Sequence, residues 1–472
     1  MSFITRRKSI DLITTQEEHH RLKATLSWPH LIALGVGAIV GTGIYTLTGI
    51  GAGLAGPGVI LSFALCGVIC GCAALCYAET ATMMPAAGSA YTYSYAVLGE
   101  LLAWIVGWSL ILEYTVAASA VAVGWSSHVA EFVQAAHWPV PAMLMSGPEA
   151  GGLVNLPAVA ISAVITGLLV LGTRESATIN IVLVIVKLAA LVLFVVLAAG
   201  AFDPHRFHPF LPYGLGAHVD PDGVKRGVLA AAALVFFAFY GFDAVSTAAE
   251  ETRRPARDLT IGIIGSMLIC TVIYVAVAAS ALGASSYLDF SKNGAPLVYI
   301  LTMLKHPGAA ELVAGAAIVA LPTVILVLMY GQSRIFFVMA RDGLLPQGLA
   351  KVGKRGTPVL MTVLTGIVVM IIAGVLKLEK IALLANAGTL IAFVAVALSM
   401  LVLRLRDPSR PRPFRTPLAW IVGPVCIVGC VYLFAVGLPR FTQLWCLYWN
   451  AGGLVIYLLY GASRSRLAKS GA

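Results

Sequence analysis

Phe236-Phe237-Ala238-Phe239-Tyr240-Gly241-Phe242-Asp243 packs aromatic side chains around one glycine and ends on a carboxylate, inside an otherwise apolar run. An earlier stretch, Gly35-Val36-Gly37-Ala38-Ile39-Val40-Gly41-Thr42-Gly43-Ile44, is equally poor as helix, since each glycine costs about 1 kcal/mol there relative to alanine. Taken alone, the glycine run reads either as a small-xxx-small packing seam at Gly37 and Gly41 or as an unwound hinge. Irregular backbone at membrane depth survives only where it is buried in protein or lines a cavity. The aromatic stretch decides for the hinge. Tyr240 lies about 14 residues, or about 21 Å of helix, from Arg226, and Gly41 about 11 residues, or about 17 Å, from His30. Both interruptions therefore fall at mid-membrane in helices of opposite direction. They lie five spans apart, the mark of an inverted repeat with its substrate site at the broken helices.

Working outward, the composition agrees. The 472 residues are 59% hydrophobic and only 11% charged, with mean hydropathy +0.92. A soluble domain is about a quarter charged, so the bilayer is the solvent here. A crossing needs roughly 20 apolar residues. No Asp, Glu, Lys or Arg occurs between Lys23 and Glu79, which leaves room for two crossings joined at Gly56-Pro57-Gly58. Further charge-free runs lie between Glu149 and Arg174, Asp258 and Asp289, Glu311 and Arg334, and Arg355 and Lys377. Others span Lys380 to Arg404, Arg415 to Arg440, and Arg440 to Arg464. Three more spans each hold one charge, Glu113, Lys187 or Asp243. The expectation is an all-α integral membrane protein of about twelve helices.

Alternating the spans from an inner N-terminus puts most Lys and Arg inside, including Arg174, Arg253, Lys351, Lys354, Arg355 and Arg410. The outer segments keep Arg206, Lys225, Arg226, Lys292, Lys305, Lys377, Lys380 and Arg440. That asymmetry predicts a multi-pass plasma-membrane protein with both termini cytoplasmic. Residues 1–27 form a cytoplasmic segment with no cleavable signal peptide. A transporter core spans 28–403, a cytoplasmic loop 404–418, two further spans 419–463, and a tail 464–472. Glu79 and Glu100 read as interfacial. The net charge of +10 serves topology, with membrane lipid rather than nucleic acid as the partner.

Enzymatic chemistry finds little support. The eight cysteines all lie in apolar runs and read as small buried hydrophobes, and no metal or cofactor is expected. Gly51-Ala52-Gly53-Leu54-Ala55-Gly56 matches a dinucleotide pattern but no strand precedes it. No loop resembles a carbonyl-ring filter, which argues against a channel. Pro85 to Gly99 holds no Lys or Arg, so the basic signature of a major-facilitator carrier is missing.

Several stretches in register resemble the amino acid–polyamine–organocation superfamily, most closely its bacterial cationic amino acid transporter branch. They are Gly35 to Tyr45, Trp108-Ser109-Leu110-Ile111-Leu112-Glu113-Tyr114, Phe239 to Asp243, and Glu250-Glu251-Thr252-Arg253-Arg254-Pro255. Ala340-Arg341-Asp342-Gly343-Leu344-Leu345-Pro346 and Pro413-Phe414-Arg415-Thr416-Pro417 complete the set. The resemblance implies a LeuT-type fold, in which spans one to five repeat inverted as spans six to ten and two C-terminal helices follow. It also implies amino acid uptake, usually driven by protons; exchange and Na⁺ coupling are the alternatives within the fold.

The chemistry of the site follows. A zwitterion entering hydrocarbon must trade hydration for fixed partners. Its carboxylate suits the free amides of Gly41, Thr42 and Gly43, at the positive end of the outer half-helix. By resemblance, the carbonyls of Ile39, Phe237, Ala238 and Tyr240 meet the ammonium, and the rings of Phe237 and Tyr240 gate the site. Glu113 is either a structural carboxylate or a group facing the substrate, and the resemblance favours the second. Asp243 reads as a brace of the inner gate. Lys187 is the one basic residue inside a span, near mid-depth counted from Glu175. By resemblance it occupies the place of the second sodium ion, bridging span-one carbonyls and Thr323, and switches proton coupling. The substrate could be cationic or small and neutral.

Overall fold

The computed structural model describes residues 6–14, 26–86, 88–135, 137–171, 177–350 and 359–469. Arg174, Glu175, Lys351, Lys354 and Arg355, used above for topology and depth, lie outside the described residues. Among the described residues the helices group into twelve spans. Span one comprises Trp28–Ile39, Gly43–Leu47 and Thr48–Ala55, and span two is Val59–Met83. The turn between them is Gly56–Gly58, where Gly56 takes φ +61°, a conformation glycine adopts without a Cβ penalty. Span three is Glu100–Ala135, span four Leu156–Leu171 and span five Ala177–Ala199. Span six comprises Val228–Val235, Phe236–Phe239 and Asp243–Thr247. Spans seven to ten are Pro255–Ala284, Pro307–Arg341, Val359–Val375 and Leu378–Arg406. Ala419–Tyr432 continued by Leu433–Gly437 forms span eleven, and Arg440–Ile456 continued by Tyr457–Gly461 forms span twelve. Among the described residues, nine helical stretches are long and apolar enough to cross a membrane; Trp28–Ile39, Leu156–Leu171 and Val359–Val375 are shorter and apolar.

Proline starts spans seven and eight at a position where its missing N–H costs nothing. Pro322 inside span eight does not end it.

The packing expresses the internal repeat. Span two lies along span seven, three along eight, and four along nine. An axis relating each span to the one five places later brings equivalent helices together in this way. Spans eleven and twelve are peripheral and present most of their surface outward.

Both ends of the chain meet on one face, as an even number of crossings requires. Arg6 Nη1 donates to Ala462 O at 2.9 Å, Lys8 pairs with Asp342 at 2.8 Å, and Arg410 pairs with Asp11 at 3.2 Å. Glu79 and Glu100 stand on this face, in the last turns of span two and at the start of span three. Both are buried. Glu79 accepts Arg404 Nε at 2.9 Å and the Thr416 amide at 2.8 Å, with Arg412 Nε at 3.2 Å. Glu100 accepts the hydroxyls of Tyr95 and Tyr457, each at 2.9 Å. The loop after span ten folds back over span two and carries Arg412 and Thr416 to Glu79, which spacing along the chain does not reveal.

Glu79→Ala removes a buried anion from between two partly buried guanidiniums; breaking a fully buried pair costs about 3–5 kcal/mol, an upper bound here. The expected result is a clearly lowered melting temperature in detergent, with Glu79→Asp in between; an unchanged melting curve would show the clamp to be dispensable.

Candidate functional site

The α-helix of span one stops at Ile39. Val40 is extended (φ −74°, ψ 91°), and the chain resumes as a π-turn from Gly43, a geometry often found at functional sites. No backbone bond is made by the amides of Gly41, Thr42 or Gly43. In span six, Phe236–Phe239 tightens to a 3₁₀ turn and Tyr240 is extended (φ −78°, ψ 158°). Gly241 follows at φ +116°, and a Cβ there would stand 3.0 Å from Ala38 C. Only glycine fits. The two breaks touch directly: a Cβ on Gly43 would stand 2.3 Å from Ala238 Cα.

Side chains from three other spans, and Asp243 of span six itself, meet the freed backbone. Tyr274 of span seven donates to Ile39 O at 2.7 Å. Lys187 of span five donates to Gly37 O at 3.0 Å and to Thr323 Oγ1 of span eight at 3.3 Å. Asp243 accepts the Gly241 amide at 3.1 Å and the Tyr114 hydroxyl of span three at 2.8 Å, which ties the break of span six to its neighbour. Asn386 of span ten donates to Ala233 O at 2.7 Å.

Thus Ile39, Gly41, Thr42, Gly43, Phe237, Ala238 and Tyr240 converge at one level, and Lys187 and Thr323 share a junction beside it. The Thr42 hydroxyl donates to Val121 O at 3.4 Å. Phe237 and Tyr240 lean ring on ring, centroids 5.2 Å apart. Glu113 is fully buried on the side of this level nearer the chain termini, against Gly388 of span ten. Neither of its carboxylate oxygens has a hydrogen-bond partner, nor does the Tyr240 hydroxyl. The nearby Thr389 hydroxyl donates instead to Ala385 O at 3.3 Å.

Tyr274, Tyr114 and Asn386 were missed by the sequence reading. Each is a polar side chain inside an otherwise apolar span, which is the signal that could have marked it.

Two broken, antiparallel helices meeting at mid-bundle, with side chains of other spans sent to their freed backbone, define a membrane carrier. The profile of the amino acid permease family matches residues 26–459, and this chain belongs to that family. The branched-chain amino acid permease BcaP of Bacillus subtilis is 43% identical over 98% of this chain and 99% of its own. The methylthioribose transporter of the same organism is 40% identical over 99% and 100%. Cationic amino acid transporter 2, vacuolar, of Arabidopsis thaliana is 39% identical over 87% of this chain and 64% of its own. The protein is an amino acid transporter of the membrane, not an enzyme.

Gly41 and Gly43 separate binding from packing. A Cβ on Gly41 meets nothing closer than Val324 at 3.6 Å, so Gly41→Leu should cut uptake more than tenfold and leave the melting temperature within a few degrees. Gly43→Leu collides with Ala238 and should lower both. Saturable, wild-type-like uptake by Gly41→Leu would move the substrate elsewhere.

Proposed function

We propose that the protein carries L-amino acids into the cell by alternating access, driven by an inward proton gradient. It would do so in the bacterial inner membrane with both termini cytoplasmic. The observation that carries the coupling is the Lys187 junction. Its side chain is fully buried and joins spans one, five and eight through Gly37 O and Thr323 Oγ1. A side chain leans toward the N-terminus of its helix, so Lys187 reaches back to the inner half of span one. Its own carbonyl points outward and accepts the Tyr45 hydroxyl at 3.2 Å. As an ammonium, Lys187 ties the inner half-helix to span eight; as an amine it gives up much of that attraction and lets the half-helix move. A sodium ion beside a resident ammonium would be repelled.

For the substrate, the space beside Gly41 is bordered by Val324, and an apolar side chain suits it. The relative named for branched-chain amino acids supports a neutral aliphatic cargo. Glu113 favours a second reading, since an unpartnered buried carboxylate is a fitting partner for a cationic side chain, as the cationic amino acid transporters would need.

Uptake of radiolabelled amino acids into proteoliposomes decides. Proton-driven accumulation should be independent of Na⁺ and should fail in Lys187→Ala; full accumulation by that variant removes the lysine from the mechanism. Glu113→Gln should lower lysine and arginine uptake more than tenfold, about 1.4 kcal/mol, if the cargo is cationic. It should lower leucine and valine uptake far less if the cargo is aliphatic.

A further inference from the structure

One stripe of span three faces the outer half of span one. Val121 O accepts the Thr42 hydroxyl. Gly124 lies so close that a Cβ there would stand 2.1 Å from Thr42 Cγ2. One turn further out, the His128 ring packs edge-on to Tyr45, with centroids 6.0 Å apart. Spacings of three and four residues put these positions on one helix face.

His128 is fully buried, and neither Nδ1 nor Nε2 has a hydrogen-bond partner. A neutral imidazole offers one donor and one acceptor, and buried polar atoms are nearly always paired. Two orphaned nitrogens on one ring are accounted for by a partner that comes and goes. Tyr45 touches both the imidazole and the Lys187 carbonyl. Imidazole is also the side chain whose ordinary range of proton exchange spans pH 5 to 8.

We propose that His128 is the outer proton station of the transport cycle. The assignment rests on the proton-coupled reading above. When the outer half of span one moves aside, a ring nitrogen takes a proton from external water and becomes imidazolium. It then passes one proton, through water alongside Tyr45, to the neutral Lys187 amine. The ring returns to its neutral form and Lys187 becomes an ammonium, so no other reactant is consumed.

Among the described residues no charged side chain bears on the His128 ring. On its own helix the next carboxylate outward is Glu131, half-buried. Span eight presents Ile318, whose carbonyl accepts Trp125 Nε1 at 2.8 Å, and its nearest charge outward is the exposed Glu311. Span four contributes the uncharged Asn155, bonded to Ser126 at 2.7 Å. The outer loop places Gly294 beside Ser127, with Lys292 exposed.

The test is initial uptake into proteoliposomes at fixed internal pH, with external pH varied from 5 to 8, for wild type, His128→Gln and His128→Phe. Melting temperatures report folding, and His128→Phe keeps an aromatic edge against Tyr45 where glutamine fails to fold. The expected result is uptake lowered at least fivefold with its dependence on external pH flattened. A variant whose rate is merely scaled, with the wild-type pH profile intact, overturns the station and leaves proton coupling standing. Wild-type uptake that ignores an imposed proton gradient overturns both.

Discussion

Backbone amides and carbonyls in hydrocarbon need partners inside the protein, and at two places this chain withholds the helical ones. The breaks at Gly41 and Gly241 survive because they face each other at Gly43 and Ala238 and because other spans supply what the helices lack. Tyr274, Lys187, Asp243 and Asn386 each send a polar atom to the freed backbone. Much of the unusual polarity of spans five, six, seven and ten follows from this one constraint. These side chains are expensive in a membrane interior, and they stand where the main chain has forgone its own bonds.

The internal repeat makes the arrangement possible. Two half-chains of opposite direction place their first helices antiparallel at the centre, with spans two, three and four of one half packed on seven, eight and nine of the other. The symmetry stops at the faces. On the face that holds the chain termini, Glu79, Glu100 and Asp342 gather basic and phenolic partners from segments far apart in the chain. On the opposite face, short helices at Tyr287–Phe290 and Pro296–Met303 lie over the second half of span one.

Unpaired polar atoms also lie on both sides of the breaks. Toward the face of the chain termini are Glu113 and the hydroxyls of Tyr77, Tyr93 and Tyr240; toward the opposite face are His128 and the Thr46 hydroxyl. Buried groups left in this condition cost about 1–3 kcal/mol each. A carrier that admits water and substrate first from one side and then from the other has a use for both sets, since each is satisfied in the state that wets it.

Hydropathy, charge-free runs and the two glycine interruptions were enough to read about twelve crossings, their inverted halves and the two interrupted helices. Those features depend on local composition and on the thickness of the membrane. Lys187 stood out for the same reason, as a lone basic residue at mid-depth. The partners of Glu79 and Glu100, the hydroxyl of Tyr274 on Ile39, and the isolation of Glu113 and His128 were decided only by tertiary structure. Each depends on which face of one helix meets which face of another, and a helix with apolar residues all round carries no amphipathic stripe to show it.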